Sequence, residues 1–228
     1  MWNSANDTIL YSIQATAASR RITKRTISSE IARIYDPLGL LAPVIAPKML
    51  LQKIWAVKVD WDEALPLTIH TEWTRFYQQL PLLNNITFPR KTIIKSATTI
   101  ELHGFCDASE KAYGACVYLR PINENGKIWV ERLTAKSKVA PLKQQTIPRL
   151  ELCGALLLTS LIATTQKALH INYDHYWTDS TIVLHWLTTS PHSLKTFVAN
   201  RVAEIQEKTH IPDWRHVPTQ DNPADLIS

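Results

Sequence analysis

Three strand-like segments, a long apolar helix and a fourth strand follow one another between residues 97 and 179, and this succession restricts the fold most. TTIELHGFCDAS and AYGACVYLRP have the character of strands, and the turn ENG leads into KIWVERLTAKSKVA. These segments predict an antiparallel meander. IPRLELCGALLLTSLIATTQKAL predicts a helix that is apolar on nearly every side, which is typical of a helix buried on two sides.

A shorter alternation of strands and helices completes the chain. NYDHYWTDS predicts the fourth strand, TIVLHWL a short helix, SLKTFVANRVAEIQEKT an amphipathic helix and DWRHVP a last strand. Strands that precede, separate and follow helices indicate a mixed sheet with helices packed on it. We therefore expect residues 97–228 to fold as one α/β domain.

Residues 1–96 have a mainly helical pattern, and we expect them to form a smaller helical subdomain and a linker. TILYSIQA predicts a strand, and either Thr26 or Ser28 is available as the N-cap of the first helix. The features that predict three helices are Ile27, Ile31 and Ile34 at helical spacing, an apolar segment from near Pro43 to about Lys58, and a stripe of Trp73, Phe76, Tyr77 and Leu80.

The composition excludes several classes of protein. Three cysteines without a CxxC pair indicate neither a disulfide framework nor a cysteine-ligated zinc site, and a reducing compartment fits best. We expect no membrane partner, because no apolar run approaches the roughly 20 residues that span a bilayer and the N-terminus lacks a secretory signal. A net charge of +5 is compatible with a polyanionic partner such as nucleic acid.

Four acidic residues lie at strand ends or helix starts in this layout. Asp107 ends the first strand of the α/β domain, Glu151 lies in the first turn of the long helix, and Asp179 ends the fourth strand. The first and fourth strands are natural parallel neighbours, so both aspartates should emerge at adjacent carboxyl ends, where open α/β sheets bind their ligands. Asp225 is a fourth candidate and follows Asn222, the expected N-cap of a final helix.

A cluster of carboxylates needs a chemical reason, because like charges repel one another unless cations neutralise them. Oxygen-only ligands suit hard cations such as Mg²⁺ or Mn²⁺. Two such ions roughly 3.5–4 Å apart can activate water and stabilise the leaving oxygen in phosphodiester cleavage. Taken singly, the acids have ordinary alternatives as a turn residue (Asp107), part of an N-cap start (Asp179 with Ser180) and helix-start acids (Glu151 and Asp225). Their joint order favours a metal site.

The order Asp, Glu, Asp, Asp on this layout resembles ribonuclease H. The local sequences agree: GFCDAS on the first strand, RLEL opening the helix, WTDS after the fourth strand and HVPTQDNPAD near the end. Longer stretches, including KRTISSEIARIYDPLGLLAPVI and LHGFCDASEKAYGACVYLR, are similar to the Pol polyprotein of BEL/Pao LTR retrotransposons. The similar segment of Pol is the Pao retrotransposon peptidase family, and the similarity covers nearly the whole chain.

This resemblance implies a ribonuclease H-like fold over residues 97–228, with a mixed five-stranded sheet, flanking helices and a truncated C-terminus. Within residues 1–96 it implies the thumb and connection helices of a reverse transcriptase. The implied activity is an endonuclease that hydrolyses the RNA strand of RNA–DNA hybrids during reverse transcription. The implied catalytic residues, which are also the ligands of Mg²⁺ or Mn²⁺, are Asp107, Glu151, Asp179 and Asp225.

The resemblance also implies partners and a location. The partners are an RNA–DNA hybrid and the rest of the Pol polyprotein, including the reverse transcriptase and the integrase. The expected location is intracellular, both cytoplasmic within a virus-like particle and nuclear.

The C-terminal end departs from the ribonuclease H pattern. Thr219 and Gln220 stand where a Gly-His pair is common, and His216 lies earlier, on the last predicted strand. The spacing before Asp225 is one residue shorter than usual, so Asp221 is a rival for the role of fourth ligand.

Two other functions stay open. One is a non-catalytic ribonuclease H-like scaffold of a degenerate element, with relic carboxylates. The other is an aspartic peptidase, as the family name suggests. That chemistry needs two aspartates that share a proton, each in an Asp-Thr/Ser-Gly turn, and no such turn occurs in the sequence. A polymerase motif of the Tyr-x-Asp-Asp type is also absent, so we expect no polymerase activity.

Overall fold

The chain forms two compact units in the computed structural model, which describes residues 1–13, 21–41, 44, 46–92, 97–172 and 174–228. The first unit contains residues 1–37 and 46–91, and the second contains residues 38–45 and 92–228. The expected helix start near Pro43 and the end of the predicted strand TILYSIQA lie outside the described residues. The expected division of the chain after residue 96 stays a prediction.

The first unit contains three helices and a small antiparallel sheet. Its elements are β1 (Trp2–Asn3), β2 (Thr8–Leu10), α1 (Lys24–Ala32), α2 (Ala46–Ala56), α3 (Leu67–Gln79) and β3 (Thr87–Pro89). The strands pair in the order β1-β2-β3. The apolar faces of the helices meet in a core that contains Ile27, Leu50, Ile54, Leu65, Ile69 and Trp73.

Helix α1 begins earlier than the sequence predicted. Its N-cap is Thr23, whose hydroxyl accepts a hydrogen bond from the backbone N–H of Thr26, while the Thr26 hydroxyl accepts one from the backbone N–H of Thr23. This reciprocal pair is a capping box. The expectation of an N-cap at Thr26 or Ser28 is therefore wrong, because the helix starts at Lys24 and Thr26 is its third residue.

The second unit is a mixed five-stranded sheet with helices. Its elements are β4 (Ala97–Ala108), β5 (Ala112–Asn123), β6 (Glu131–Val139), α4 (Ile147–Leu169), β7 (Asp174–Thr178), α5 (Thr181–Leu187), α6 (Thr196–Lys208) and β8 (Trp214–His216). The strand order is β6-β5-β4-β7-β8. Strands β4, β5 and β6 pair antiparallel, whereas β7 runs parallel to β4 and to β8. The predicted meander and mixed sheet are confirmed.

The close packing of α4 on the sheet depends on a strand residue without a side chain. A Cβ atom at Gly104 of β4 would lie 2.4 Å from Leu158 Cδ1 and 2.5 Å from Ile162 Cδ1, both on α4. Gly104 therefore lets the helix approach the middle strand, and the even-numbered residues of β4 in this region face α4. The odd-numbered positions lie toward the opposite face of the sheet.

Helix α4 is also the one helix of the described chain that is long and apolar enough to cross a membrane by length and composition. The expectation that no segment approaches that length is therefore wrong. In this structure α4 packs against β4, β5 and α6, and its buried side chains belong to the main core of the unit. That position explains why it is apolar on nearly every side, as the sequence indicated.

The outer edge of strand β6 is covered by the short segment Leu38–Leu41. The backbone N–H of Ala135 and the hydroxyl of Thr134 both donate to the carbonyl oxygen of Leu38, at 2.9 and 2.7 Å. Gly39, the next residue, has a φ of +67°, and a Cβ atom there would lie 1.7 Å from the Ala135 carbonyl oxygen. The segment thus satisfies part of a strand edge that would otherwise expose unpaired backbone groups.

We expect Gly39→Ala to destabilise the second unit far more than Gly126→Ala does. Both glycines have positive φ, which costs an alanine roughly 1–2 kcal/mol, but a Cβ atom at Gly126 has no neighbour within 4 Å. Gly39→Ala adds an overpacking cost of roughly 1–3 kcal/mol. Urea denaturation measures the loss of stability in each variant. Hydrogen exchange of the Ala135 amide measures whether its hydrogen bond to Leu38 is kept. Equal losses in both variants would show that the segment is not packed against β6.

Candidate active site

Asp107 and Asp179 follow the last paired residues of two neighbouring parallel strands. In the β4–β7 register, Leu102 pairs with Asp174 and Cys106 with Thr178. Each of the two aspartates comes directly after the last of these pairs, so both emerge at the same carboxyl edge of the sheet. The prediction that the first and fourth strands of the domain are parallel neighbours is confirmed.

Glu151 reaches this edge from α4. A Cβ atom at Gly154 would lie 3.1 Å from the Asp107 carbonyl oxygen, so the helix passes directly over the end of β4. Glu151 is three residues earlier and therefore lies on the same helix face, one turn closer to the N-terminus. The expectation that Glu151 lies in the first turn is wrong. The N-cap is Thr146, and Glu151 is the fifth helical residue.

Ser180 links the glutamate to the start of α5. Its hydroxyl donates to Glu151 Oε2 at 2.5 Å and accepts a hydrogen bond from the backbone N–H of Val183 at 3.2 Å. Both uses of the hydroxyl are compatible, because a serine oxygen donates one hydrogen bond and accepts others. The sequence suggests a helix N-cap after Asp179, but nothing in it indicates the contact with Glu151.

The C-terminal segment is fastened beside Asp107 by a buried amide. Asn222 Nδ2 donates to the Cys106 carbonyl oxygen at 3.2 Å, and its Oδ1 accepts from the backbone N–H of Ala224 at 3.1 Å. Ser228 donates from its hydroxyl to Asp107 Oδ2 at 2.6 Å. Asn222 was expected to cap a helix. Instead, a single 3₁₀ turn follows at Asp225–Ile227, and the amide bridges two segments.

Asp225 and Asp221, the rivals for the fourth position, are both exposed. The charge of Asp225 raises the pKa of Asp107, so Asp225 lies within electrostatic reach of the cluster. His216 is exposed at the end of β8.

The electrostatics of the cluster are those of crowded, partly buried acids. Burial raises the pKa of Asp107, the hydrogen bonds from Ser228 and from the backbone of Ala108 oppose that rise, and the charges of Asp179 and Asp225 add to it. Burial also raises the pKa of Glu151, against its hydrogen bond from Ser180 and with the charges of Asp179 and Asp107. Both carboxyl groups therefore bind protons more tightly than they do in water.

Asp179 provides the most direct sign that the cluster binds a cation. Its Oδ1 atom is buried and has no hydrogen-bond partner. A buried carboxylate oxygen without a partner is costly, and its neighbours Asp107 and Glu151 offer only further oxygens. Such a donor set fits a hard divalent cation. These residues therefore suit Mg²⁺ or Mn²⁺, whereas nothing in the set favours a soft metal.

The three carboxylates do not form a compact ligand group. Among the described residues, only one group of three or more His, Cys, Asp or Glu side chains has its ligand atoms all within 4.8 Å of one another, and it is Glu101, His103 and His175. Hydrogen bonds from Ser180 and Ser228 hold Glu151 and Asp107. A cation in the cluster would have to draw these carboxylates together against both hydroxyl contacts.

Comparison with known proteins identifies similar sequences and structures. The family model for the Pao retrotransposon-like RNaseH-like domain matches residues 23–180, which include Asp107, Glu151 and Asp179 but not Asp225. No curated protein sequence matches the chain significantly. The family description and the strand order together identify the fold of the second unit as ribonuclease H-like.

Solved structures similar to this chain include three that contain ribonuclease H or reverse transcriptase. The N-terminal RNase H domain of a Mycobacterium tuberculosis protein, fused to maltose-binding protein, shares 15% identity over 57% of this chain and 88% of that chain, with a TM-score of 0.38. LC11-RNase H1, isolated from compost and bound to an RNA/DNA hybrid, shares 14% identity over 57% and 93%, with a TM-score of 0.39. Prototype foamy virus protease–reverse transcriptase shares 14% identity over 82% of this chain and 31% of that chain, with a TM-score of 0.32.

Asp107→Asn is expected to raise the free energy of unfolding at pH 7 in metal-free buffer, by about 0.5–2 kcal/mol. The amide removes a buried charge and can still accept the hydrogen bond from Ser228. Because the folded-state pKa of Asp107 is raised, the cost of its charge is absent below the unfolded pKa of about 3.9. The cost develops as pH rises through the folded-state pKa and is complete above it.

Urea denaturation at several pH values tests this expectation. The advantage of Asp107→Asn over the unmodified chain should shrink toward zero near the unfolded pKa. Asp221→Asn is the matched control, since Asp221 is exposed and its substitution should change stability by less than about 0.5 kcal/mol. If Asp107→Asn is less stable at pH 7 than the unmodified chain, the account of a repelled, buried charge is wrong.

Proposed function

Because this chain belongs to the Pao retrotransposon-like RNaseH-like domain family, we propose that its second unit is a metal-dependent endonuclease that hydrolyses the RNA strand of RNA–DNA hybrids. The observation that carries the proposal is the meeting of Asp107, Glu151 and Asp179 at one edge of a ribonuclease H-like sheet. The buried, unpartnered Oδ1 of Asp179 supports a cation there. The natural setting is a retrotransposon Pol polyprotein that also contains a reverse transcriptase and an integrase.

Each residue of the cluster has its own role in the proposed cleavage. Asp107 and Asp179, on neighbouring strands, would hold two Mg²⁺ or Mn²⁺ ions, and Asp225 would complete the ligands of the second. Such ions would supply an activated water and stabilise the charge on the leaving oxygen. Glu151 would bind one ion and position the attacking water, and Ser180 orients the Glu151 carboxylate. Cleavage leaves a 3′-hydroxyl and a 5′-phosphate, as the family resemblance implies.

The substrate proposal rests on charge and on strand chemistry. The net charge of +5 of the whole chain supports a nucleic acid as partner, because basic groups attract phosphates without regard to sequence. Discrimination for the RNA strand comes from 2′-hydroxyl groups in the minor groove of the hybrid. The proposed location follows from this role in reverse transcription: cytoplasmic, in a virus-like particle, and nuclear.

A non-catalytic scaffold is the second candidate, and one observation favours it. Among the described residues, Glu101, His103 and His175 bring three ligand atoms together, whereas Asp107, Glu151 and Asp179 do not form such a group. The aspartic peptidase has no such support, since the sequence lacks the Asp-Thr/Ser-Gly turn.

The decisive measurement is cleavage of an RNA–DNA hybrid labelled on its RNA strand, with Mg²⁺ and with EDTA. The unmodified chain should cleave only with Mg²⁺, and Asp179→Asn should reduce the rate at least about 100-fold, since even indirect contacts to metal ligands are worth 10–100-fold. Asp213→Asn, at an acid outside the cluster, is the matched control and should leave the rate unchanged. A chain that binds hybrid but cleaves no faster than Asp179→Asn would be the scaffold.

The same assay separates Asp225 from Asp221 as the fourth ligand. We expect Asp225→Asn to lower cleavage at least about tenfold and Asp221→Asn to have little effect, because the charge of Asp225 acts on Asp107. The loss in Asp225→Asn should shrink as Mg²⁺ is raised, since a missing ligand weakens ion binding first. The reverse ranking of the two variants would assign the fourth position to Asp221.

A further inference from the structure

A second cluster of ligand-type side chains lies on the two strands that carry the aspartates, but nearer their other ends. Glu101 and His103 are alternate residues of β4, so they lie on one face of the sheet. His175 of β7 pairs directly with His103 in the parallel register. His103 and Asp107 are four residues apart, which is roughly 13 Å along a strand. The second cluster is thus separate from the acidic one.

The spacing of these side chains suits a single metal ion. One ligand atom from each of Glu101, His103 and His175 lies within 4.8 Å of the other two, and the centroids of the two imidazole rings are 4.8 Å apart. Ligand atoms roughly 2.0–2.2 Å from one tetrahedral ion lie about 3.3–3.6 Å from one another. Glu101 Oε2 and His103 Nε2 are already 3.2 Å apart, so coordination requires mainly that the His175 ring move toward them.

The hydrogen bonds of the cluster leave one buried ligand atom unpaired. Glu101 Oε2 lies 3.2 Å from His103 Nε2 and accepts a hydrogen bond from Arg120 Nη1. The buried Nδ1 atom of His175 has no hydrogen-bond partner. It is the nitrogen that a ligand would satisfy.

We propose that Glu101, His103 and His175 form a transition-metal site that binds Zn²⁺ or an ion of the same class. Two imidazoles and one carboxylate make a mixed nitrogen and oxygen donor set, which favours such ions over Mg²⁺. Three protein ligands leave one tetrahedral position for water or an added ligand. The bound ion would join β4 to β7, and it would stabilise the second unit by an amount that grows with the logarithm of the free ion concentration once the site is filled.

Two contacts compete with the ion and limit its affinity. Arg120 Nη1 donates to Glu101 Oε2 at 2.6 Å and adds a positive charge beside the site. Trp177 Nε1–H donates to His103 Nδ1 at 3.3 Å, which leaves the ring proton on Nε2, facing Glu101 at 3.2 Å. Coordination through Nε2 requires that proton to pass by way of solvent to Nδ1. The Trp177 N–H then loses its acceptor, and no proton is gained or lost overall.

Because Arg120 competes with the ion, its substitution should strengthen Zn²⁺ binding, whereas substitution of a ligand should weaken it. Zn²⁺ binding to the full chain is measured by isothermal titration in a buffer that contains excess Mg²⁺, which occupies the acidic cluster. We expect one Zn²⁺ per chain, with affinity at least tenfold weaker in His175→Ala and in Glu101→Gln. Arg120→Gln should bind Zn²⁺ at least threefold more tightly, because it removes the guanidinium from the carboxylate. His185→Ala, at an exposed histidine elsewhere, should match the unmodified chain.

Spectroscopy distinguishes this site from others and keeps the test independent of nuclease activity. Co²⁺ in place of Zn²⁺ should give the intense visible absorption of a four-coordinate ion, and the band should be absent in His175→Ala. Unchanged Zn²⁺ binding in both His175→Ala and Arg120→Gln would overturn the proposal. Displacement of the Zn²⁺ by Mg²⁺ would also overturn it, because the ion would then occupy the acidic cluster. Gain of affinity in Arg120→Gln supports the proposal even if His175→Ala fails to fold.

Discussion

The parallel pairing of β4 with β7 is the constraint on which both ligand clusters depend. Its register, from Leu102–Asp174 to Cys106–Thr178, brings Asp107 beside Asp179 at one end of the pair and His103 beside His175 nearer the other. A slip of one residue would turn each side chain of a strand to the opposite face. The packing of α4 supports this register, because Gly104 and Gly154 allow the helix to approach the middle strand closely enough for Glu151 to reach its end.

The acidic cluster costs stability, and the surrounding structure holds it in place. Burial and mutual repulsion disfavour the charged forms of Asp107 and Glu151, and two hydroxyl groups offset part of this cost. Ser180 ties Glu151 to the cap of α5, so the carboxylate is oriented by a group that the helix start already requires. Asn222 holds the C-terminal segment against the end of β4. Charge crowding of this kind is common where function requires it, since a cation relieves it.

Strong periodic patterns in the sequence predicted most of the fold. They did not predict the helix ends or the contacts within the site, which depend on individual hydrogen bonds. The strands, their mixed order and the buried central helix were predictable because each is a run of apolar residues with one period. Helix ends were less predictable. Thr23, not Thr26 or Ser28, caps α1, since several hydroxyls compete and only backbone geometry selects one. The roles of Ser180 and Asn222 depend on contacts between residues 29 and 116 positions apart, which no local pattern encodes.

The two clusters differ in donor chemistry, and that difference determines which class of ion each cluster can bind. Asp107, Glu151 and Asp179 offer only oxygens, which favour hard ions that retain water, as phosphodiester cleavage requires. Glu101, His103 and His175 include two nitrogens, which favour borderline ions that such a reaction does not need. The clusters lie roughly 13 Å apart along β4, too far for a side chain of one to coordinate an ion in the other. Occupancy of one site should therefore affect the other through the shared β4–β7 pair, whose rigidity both ions would increase, and through charge, because salt screens partly buried groups only weakly.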